Sequence, residues 1–323
     1  MSPVDSSSPV AEHPPSAPEC LPVSDFFSWR RELQHLGGEP GAFDWLLDVA
    51  AGISAAHLNS LLLHPSATLT LKCPRRELER LWRLHLLEAV PLQYLLGRCY
   101  WREFALDVGP GVLIPRPETE AMIDLAKDLV SVGRETIPAA GFLWADLGTG
   151  SGCLAMGLAR EFLGSQGLAV DLSPAALSHA HRNLRGSGLH DRVRLIQGDW
   201  FGAIKHWWGR LELVLANPPY IPSALVDRLD PVVRDHEPRL ALDGGDDGLA
   251  SIRSLAKDAP SALAPGGWLL LEHHHDQSEA VIQILDSHGL VDLHSHVDLV
   301  GHRRYVRGRR PSEAAPSASV GSS

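Results

Sequence analysis

The chain has 323 residues, 44% of them apolar, a formal net charge of −10 and four cysteines. Such a length suggests about two domains, with apolar content sufficient for a sizeable core. The acidic balance argues against non-specific affinity for nucleic acid. No uninterrupted apolar run reaches the roughly 18 residues of a membrane span, and the first residues lack the basic-then-apolar order of a secretory signal. Cys20, Cys73, Cys99 and Cys153 have no CxxC spacing. Together these features point to reduced thiols in a cytoplasmic protein and against a zinc site.

Residues 1–24, rich in Pro, Ser and Ala, read as a disordered tail, and residues 310–323 read the same way. Residues 25–97 read as a small helical bundle. Its clearest helix is RRELERLWRLHLLE after Pro74, where Leu78, Leu81, Trp82 and Leu86 share one face with His85, read as a partly buried, hydrogen-bonded histidine. Arg75, Arg76, Arg80 and Arg83 read as a solvated face. Residues 98–117 read as a β-hairpin linking two domains, with alternation through Phe104, Leu106 and Val108, a turn at Gly109-Pro110-Gly111, and a second strand at Val112-Leu113-Ile114. Thr119 or its acidic neighbours open a helix running to about Val130.

From Phe142 to residue 309, strands and helices alternate. Strands are expected at 142–147, 168–171, 193–197, 211–216 and 268–272, with two more to close the domain. Helices are expected at 153–162, after Ser173-Pro174, near 248–263 and near 277–288. Regular β/α alternation predicts a doubly wound, mostly parallel sheet with ligands at the strand C-termini.

Chemistry concentrates at those termini. Asp146-Leu147-Gly148-Thr149-Gly150-Ser151-Gly152 joins a strand to a helix, and its glycines allow close backbone approach to a ligand. The dinucleotide fingerprint GxGxxG needs its third glycine one position after Gly152. The spacing instead resembles an S-adenosylmethionine-binding loop. Asp171, ending the next strand, is placed to accept two ribose hydroxyls. Asp199-Trp200 offers a carboxylate and a ring for adenine. Ala216-Asn217-Pro218-Pro219-Tyr220 follows the fourth strand, and two prolines stiffen the backbone there. The Asn217 side-chain oxygen, the Pro218 carbonyl and the Tyr220 ring form a receptor for a planar NH2 group. The tract Glu272-His273-His274-His275-Asp276 reads as a solvated loop and not a metal site, because neighbouring side chains in an extended segment diverge.

These motifs carry a resemblance. The domain resembles Rossmann-like S-adenosylmethionine-dependent methyltransferases, and Asn-Pro-Pro-Tyr is shared with those that methylate nitrogen. PLQYLLG at 91–97, LIPRPETE at 113–120, DLGTGSG at 146–152, DWF at 199–201, NPPYI at 217–221 and EPRLALDGGDDG at 237–248 are similar to the PrmC/HemK family of release factor glutamine methyltransferases. The resemblance covers residues 25–307. It implies methylation, with S-adenosylmethionine, of the glutamine side chain in the Gly-Gly-Gln motif of class-1 peptide-chain release factors by a cytoplasmic monomer. No nucleic acid or membrane partner is implied. By motif, Asp146, Gly148, Thr149, Gly150, Ser151, Gly152, Asp171, Asp199, Trp200 and Asn217 bind the cofactor. Asn217, Pro218, Pro219 and Tyr220 bind the glutamine, with Asn217, Pro218 and Tyr220 catalytic. The helical domain recognises the substrate protein. His274-His275 and His302-Arg303 depart from the family pattern. The rival readings are a nucleic-acid amino-methyltransferase, which needs a basic channel and a base reader, and a non-catalytic S-adenosylmethionine-binding regulator.

Overall fold

The structure is a computed structural model that describes residues 18–131 and 141–312. Of the tails expected at residues 1–24 and 310–323, residues 1–17 and 313–323 lie outside the described residues, while Arg310 is not tail but pairs through its backbone with Gly266 and Gly267. The chain divides between Leu96 and Gly97 into two compact units.

The first unit contains β1 (Glu19–Pro22), α1 (Val23–Gln34), α2 (Pro40–Leu46) continuing as a π-helical turn (Leu47–Ala51), α3 (Ala55–Leu62), β2 (Thr68–Leu71), α4 (Arg75–Glu88) and α5 (Leu92–Leu96). Its core gathers Phe26, Phe43, Leu46, Leu47, Leu78 and Trp82. His85 lies half-buried on α4, with Nδ1 2.9 Å from the Val90 carbonyl. Two expectations are corrected here. Residues 19–22 are ordered, and the unit is not all helical, because β1 pairs antiparallel with β2 from Glu19 opposite Leu71 to Pro22 opposite Thr68. The alternation Thr68-Leu69-Thr70-Leu71 buries both leucines on one face. The Glu19 carboxylate accepts the Arg75 backbone N–H at 2.8 Å and Nε at 2.7 Å, tying the strand to the start of α4.

The second unit opens with a hairpin of β3 (Arg98–Trp101) and β4 (Phe104–Asp107). Its turn is therefore Arg102-Glu103, and the expected strand at residues 112–114 is absent. Arg102 takes the left-handed conformation that a two-residue turn requires, at φ +50°. The Ile114 N–H goes to the Glu237 carboxylate at 3.1 Å, not to a strand partner. A 3₁₀ turn (Glu118–Glu120) precedes α6 (Ala121–Ser131).

Then follow β5 (Leu143–Leu147), α7 (Cys153–Glu161), β6 (Gln166–Asp171), α8 (Pro174–Gly186), β7 (Val193–Gln197), a 3₁₀ segment (Trp200–Trp207) and β8 (Leu211–Ala216). After these come α9 (Ser223–Val226), α10 (Pro231–Arg234), α11 (Ala250–Ala262), β9 (Leu263–Glu272), α12 (Ser278–Ser287), β10 (Val291–Val297) and β11 (Arg303–Arg309). The seven strands run in the order β10-β11-β9-β8-β5-β6-β7. β9, β8, β5, β6 and β7 are parallel, and β11 pairs antiparallel with both its neighbours. β9 starts at Leu263, five residues before the strand read from the sequence, and Pro265-Gly266-Gly267 passes inside it at a register shift against β8. α8 begins as read, with Ser173 Oγ accepting the Ala176 N–H at 3.2 Å. At Gly167 on β6, a Cβ would fall 2.0 Å from the Trp144 ring of β5. The chain leaves β5 toward β6 and β7 on one side and returns to β8 on the other. This reversal opens a crevice at the strand C-termini.

Candidate active site

That crevice holds a cavity of about 260 Å³. The glycine loop after β5, Asp171 after β6, Asp199-Trp200 after β7 and Asn217 after β8 all reach its wall. The segments around 111–119 and 238–243 close the remaining sides.

The glycine loop is shaped by hydrogen bonds that its sequence makes possible. The Gly148 and Thr149 N–H groups both donate to the Val170 carbonyl, at 2.8 and 2.9 Å. The Gly150 N–H donates to Asp171 Oδ2 at 2.8 Å, with Gly150 at φ +56°, a conformation costly for other residues. The second Asp171 oxygen takes the Ser173 N–H at 2.8 Å. Burial raises the Asp171 pKa, while the backbone N–H groups of Ser173 and Gly150 oppose that shift. Each carboxylate oxygen keeps lone-pair capacity for a ligand hydroxyl. Trp200 sits at φ +40°, in a region that non-glycine residues seldom occupy. Its ring leaves only 3.1 Å for a Cβ on Gly148, so the glycine admits the ring against the loop.

Two members of the motif stand behind the wall. Asp146 is fully buried, accepting the Thr149 hydroxyl at 2.6 Å and the Ala155 N–H at 3.1 Å through Oδ2. Its Oδ1 has no hydrogen-bond partner among the described residues, and burial pushes its pKa up to about 7. Gly152 stands at the N-cap of α7, and a Cβ there would press against Ala180 of α8 at 3.2 Å. Both shape the loop from behind. Gly148, Thr149, Gly150 and Ser151 reach the cavity.

On the opposite side, Asn217 and Pro219 line the cavity, while Pro218 is buried and Tyr220 is half-buried. Asn217 Nδ2 donates to Thr119 Oγ1 at 3.1 Å, and the Thr119 hydroxyl donates onward to Glu272 Oε2 at 2.8 Å. The Tyr220 hydroxyl lies 3.4 Å from Glu272 Oε1. With Nδ2 engaged, Asn217 presents Oδ1 as its free acceptor. Burial raises the Glu272 pKa to about 7, and the Thr119 hydroxyl and Arg304 oppose that shift. Burial, followed by the Glu272 charge, pushes the Tyr220 phenol well up, so it stays neutral.

The turn is braced by the 237–248 segment. Ile221 pairs with Asp243 as an isolated parallel bridge. Gln277 Nε2 donates to the Tyr220 carbonyl at 3.0 Å. At Gly248, φ +76°, a Cβ would fall 2.3 Å from that same carbonyl. Glu237 is buried and holds the Arg116 guanidinium at 2.5 Å. Sequence reasoning read all of these residues but Gln277 as motif members and assigned them none of these partners. It also missed Thr119 as a partner of Asn217, and Glu272 as a buried hub. The tract at the end of β9 is not the solvated loop expected: Glu272 and His273 are buried, His274 is half-buried, and only His275 and Asp276 are exposed. No group suited to hold a metal ion occurs among the described residues.

The donors fit S-adenosylmethionine. A carboxylate at the end of β6 suits a ribose diol, an aromatic ring at β7 suits adenine, and tight glycines leave room for the sulfonium-linked amino-acid chain. A methyltransferase-domain family model matches residues 145–224. The release factor glutamine methyltransferase of Prochlorococcus marinus is 44% identical over 289 residues, covering 90% of this chain and 97% of its own. That of Gloeobacter violaceus is 44% identical over 242 residues, covering 75% and 80%. The solved structure of the release-factor-specific protein-(glutamine-N5) methyltransferase of Alicyclobacillus acidocaldarius is 27% identical, covers 64% of this chain and 99% of its own, and has a TM-score of 0.37. With so much of a relative's length matched at that identity, this chain belongs to the release factor glutamine methyltransferase family.

Proposed function

We infer that this protein transfers a methyl group from S-adenosylmethionine to the side-chain amide nitrogen of the glutamine in the Gly-Gly-Gln motif of class-1 release factors. The observation that carries the reading is the placement of Asn217. Its Nδ2 is held by Thr119 at 3.1 Å while it lines the same cavity as Asp171 and Trp200. An acceptor oxygen fixed beside a cofactor crevice is what a planar amide donor needs.

S-adenosylmethionine supplies an electrophilic methyl carbon on a sulfonium. Asp171 would hold the ribose hydroxyls, and Asp199 and Trp200 the adenine. Gly148, Thr149, Gly150 and Ser151 would line the path between, with Asp146 and Gly152 shaping the loop. A primary amide nitrogen is a weak nucleophile because its lone pair is delocalised. As it gains the methyl group its N–H bonds become stronger donors. Asn217 Oδ1 and the Pro218 carbonyl would accept them, which favours the transition state over the ground state. Pro219 fixes the turn, and the Tyr220 ring would limit the amide to near-attack positions. The surplus proton on the methylated nitrogen is acidic and passes to water. No general base is required.

The reading places a monomer in the cytoplasm acting on protein, not nucleic acid, with the unit before Gly97 recognising the release factor. The test is incubation of the purified enzyme with methyl-labelled cofactor and three competing acceptors: a release factor, the same factor with its Gly-Gly-Gln glutamine changed to alanine, and bulk RNA and DNA. Label should enter the first acceptor alone. Labelling of nucleic acid instead would favour the amino-methyltransferase of bases.

A further inference from the structure

Four buried or half-buried side chains, Asn217 and Tyr220 of the Asn-Pro-Pro-Tyr turn with Thr119 and Glu272 behind it, form one directed network. Asn217 Nδ2 donates to Thr119 Oγ1 at 3.1 Å, Thr119 donates to Glu272 Oε2 at 2.8 Å, and the Tyr220 hydroxyl meets Glu272 Oε1 at 3.4 Å. Thr119 is 1% exposed and Glu272 1% exposed. We propose that Glu272 and Thr119 are positioning residues that set the amide orientation of Asn217, so that its oxygen and not its NH2 group faces the substrate glutamine.

The argument is one of donor bookkeeping. An asparagine side chain can turn over about its last bond with almost no change of shape, exchanging an acceptor for two donors. A turned Asn217 would offer N–H groups to the substrate N–H groups, and methyl transfer would lose its acceptor. Thr119 decides between the two states through the single proton on its hydroxyl. Once ionised, above the pH of about 7 to which burial raises its pKa, Glu272 is acceptor-only, so it takes that proton, and Thr119 is left to accept from its other neighbour. Only the amide nitrogen of Asn217 can then satisfy it. The same carboxylate uses its second oxygen to hold the phenol of Tyr220. One buried group at the end of β9 therefore sets two residues at the end of β8, though neither Glu272 nor Thr119 needs to touch the substrate.

Glu272 is itself fixed from several sides. Its strand pairs it with Tyr305, Arg304 opposes its neutralisation, and the Glu118 charge favours it. Tyr305 in turn donates to the Glu118 carbonyl at 2.5 Å, which anchors the turn carrying Thr119.

The inference uses the methyl-transfer reading for its rate measurement, and a second readout needs no turnover. Thr119→Val keeps the shape and removes the hydroxyl, Thr119→Ser keeps the hydroxyl, and Glu272→Gln replaces one acceptor oxygen by a donor. Each full-length variant is compared with wild type for thermal melting, for the affinity of S-adenosylmethionine by calorimetry, and for the single-turnover rate on a release factor at saturating cofactor. The Asn217 side-chain NH2 signals are followed by ¹⁵N–¹H NMR and assigned by their loss in Asn217→Asp. Thr119→Val should lower the single-turnover rate about 10- to 100-fold and Glu272→Gln about 3- to 10-fold. The substrate KM should change less than threefold. Thr119→Ser should recover most of the rate. One Asn217 amide proton should be shifted and slow to exchange in wild type and in Thr119→Ser, and should lose both properties in Thr119→Val. Wild-type rate in a folded Thr119→Val, or Asn217 signals indifferent to it, would overturn the proposal. If wild type does not methylate release factors yet the amide signals respond as described, the orientation stands and the substrate reading fails.

Discussion

Asp171 holds the backbone N–H of Gly150 on Oδ2 at 2.8 Å, so the end of β6 and the crest of the glycine loop are one rigid unit. The same carboxylate is the group placed for the ribose. Asp171→Ala should therefore weaken S-adenosylmethionine by roughly 1.5–3 kcal/mol, tenfold or more, by removing a charged acceptor and loosening the loop together. Asp171→Asn retains one acceptor oxygen and should lose less. Calorimetry on the two variants decides this, and unchanged affinity in Asp171→Ala would remove Asp171 from the cofactor site.

Asn217→Ala should act on the chemical step. By analogy with deletion of one oxyanion-hole donor, the cost is roughly 2.7–4 kcal/mol, about 10²–10³ in the single-turnover rate. Asn217→Asp keeps an acceptor but places a charge beside Thr119, whose hydroxyl already faces Glu272. It should retain more rate than the alanine variant. Methylation by Asn217→Ala at the wild-type rate would exclude the proposed mechanism.

The contribution of two buried carboxylates to stability without cofactor should fall as pH rises from about 5 to about 8, whereas His296, whose pKa burial holds down at about 4, and His273, also lowered by burial, act oppositely below about 6.5. Glu272 and Asp146 have folded-state pKa values raised to about 7 by burial, from 4.5 and 3.8. Between those limits the folded state binds more protons than the unfolded one, so protonation stabilises and the benefit is lost as pH climbs through about 7. For Glu272, full ionisation corresponds to at most about 3 kcal/mol. Asp107 and Asp247 act oppositely: their pKa values are depressed, the first by Arg182 and His179 against its burial, the second mainly by Arg253. Their contribution is lost on further acidification. Thermal melts of wild type and Glu272→Gln across this range test the assignment, because the variant should show a flatter alkaline fall.

Gly248→Ala should be severe for a single methyl group. Its Cβ would lie 2.3 Å from the Tyr220 carbonyl at φ +76°, so either the turn or the 237–248 segment must move. A loss of about 1–3 kcal/mol is expected from backbone strain alone. Release-factor methylation should drop further than cofactor affinity, since the displaced atoms belong to the substrate side. Denaturant melts with parallel binding and activity assays separate the two.

The unit ending at Leu96 has its own core, and so does the unit that follows. A fragment beginning at Gly97 should bind S-adenosylmethionine within about threefold of full length, a difference of roughly 0.6 kcal/mol. It should lose most activity on an intact release factor. Full activity in that fragment would assign substrate recognition elsewhere.

The parallel strands were legible because apolar runs such as Leu211–Ala216 end in turn residues, and the cavity groups follow from the strand ends. Pairing between distant segments was not. Glu19–Pro22 reads as tail because its partner lies some fifty residues on, and a four-residue strand carries too little periodicity to announce itself. The hairpin turn was misplaced because Gly109-Pro110-Gly111 is the stronger local signal, whereas Arg102-Glu103 turns without a glycine. Thr119 as the partner of Asn217, and Glu272 as the partner of Thr119, are not legible because they stand 98 and 55 residues from Asn217, and only the fold brings them together. A glutamate closing an otherwise apolar strand at Leu269-Leu270-Leu271-Glu272 was the available hint.

The Trp144 ring occupies the space that a side chain at Gly167 would need, a Cβ there falling 2.0 Å from it. Positions 144 and 167 are thus a single volume allotted to two places in the chain. Enlarging one is tolerable only if the other shrinks, so among functional descendants of this sequence the two should change together. Trp144→Leu and Gly167→Ala, each harmful alone, should partly rescue one another when combined, and that non-additivity would be felt at the root of β5 and β6, the strands from which the glycine loop and Asp171 are hung.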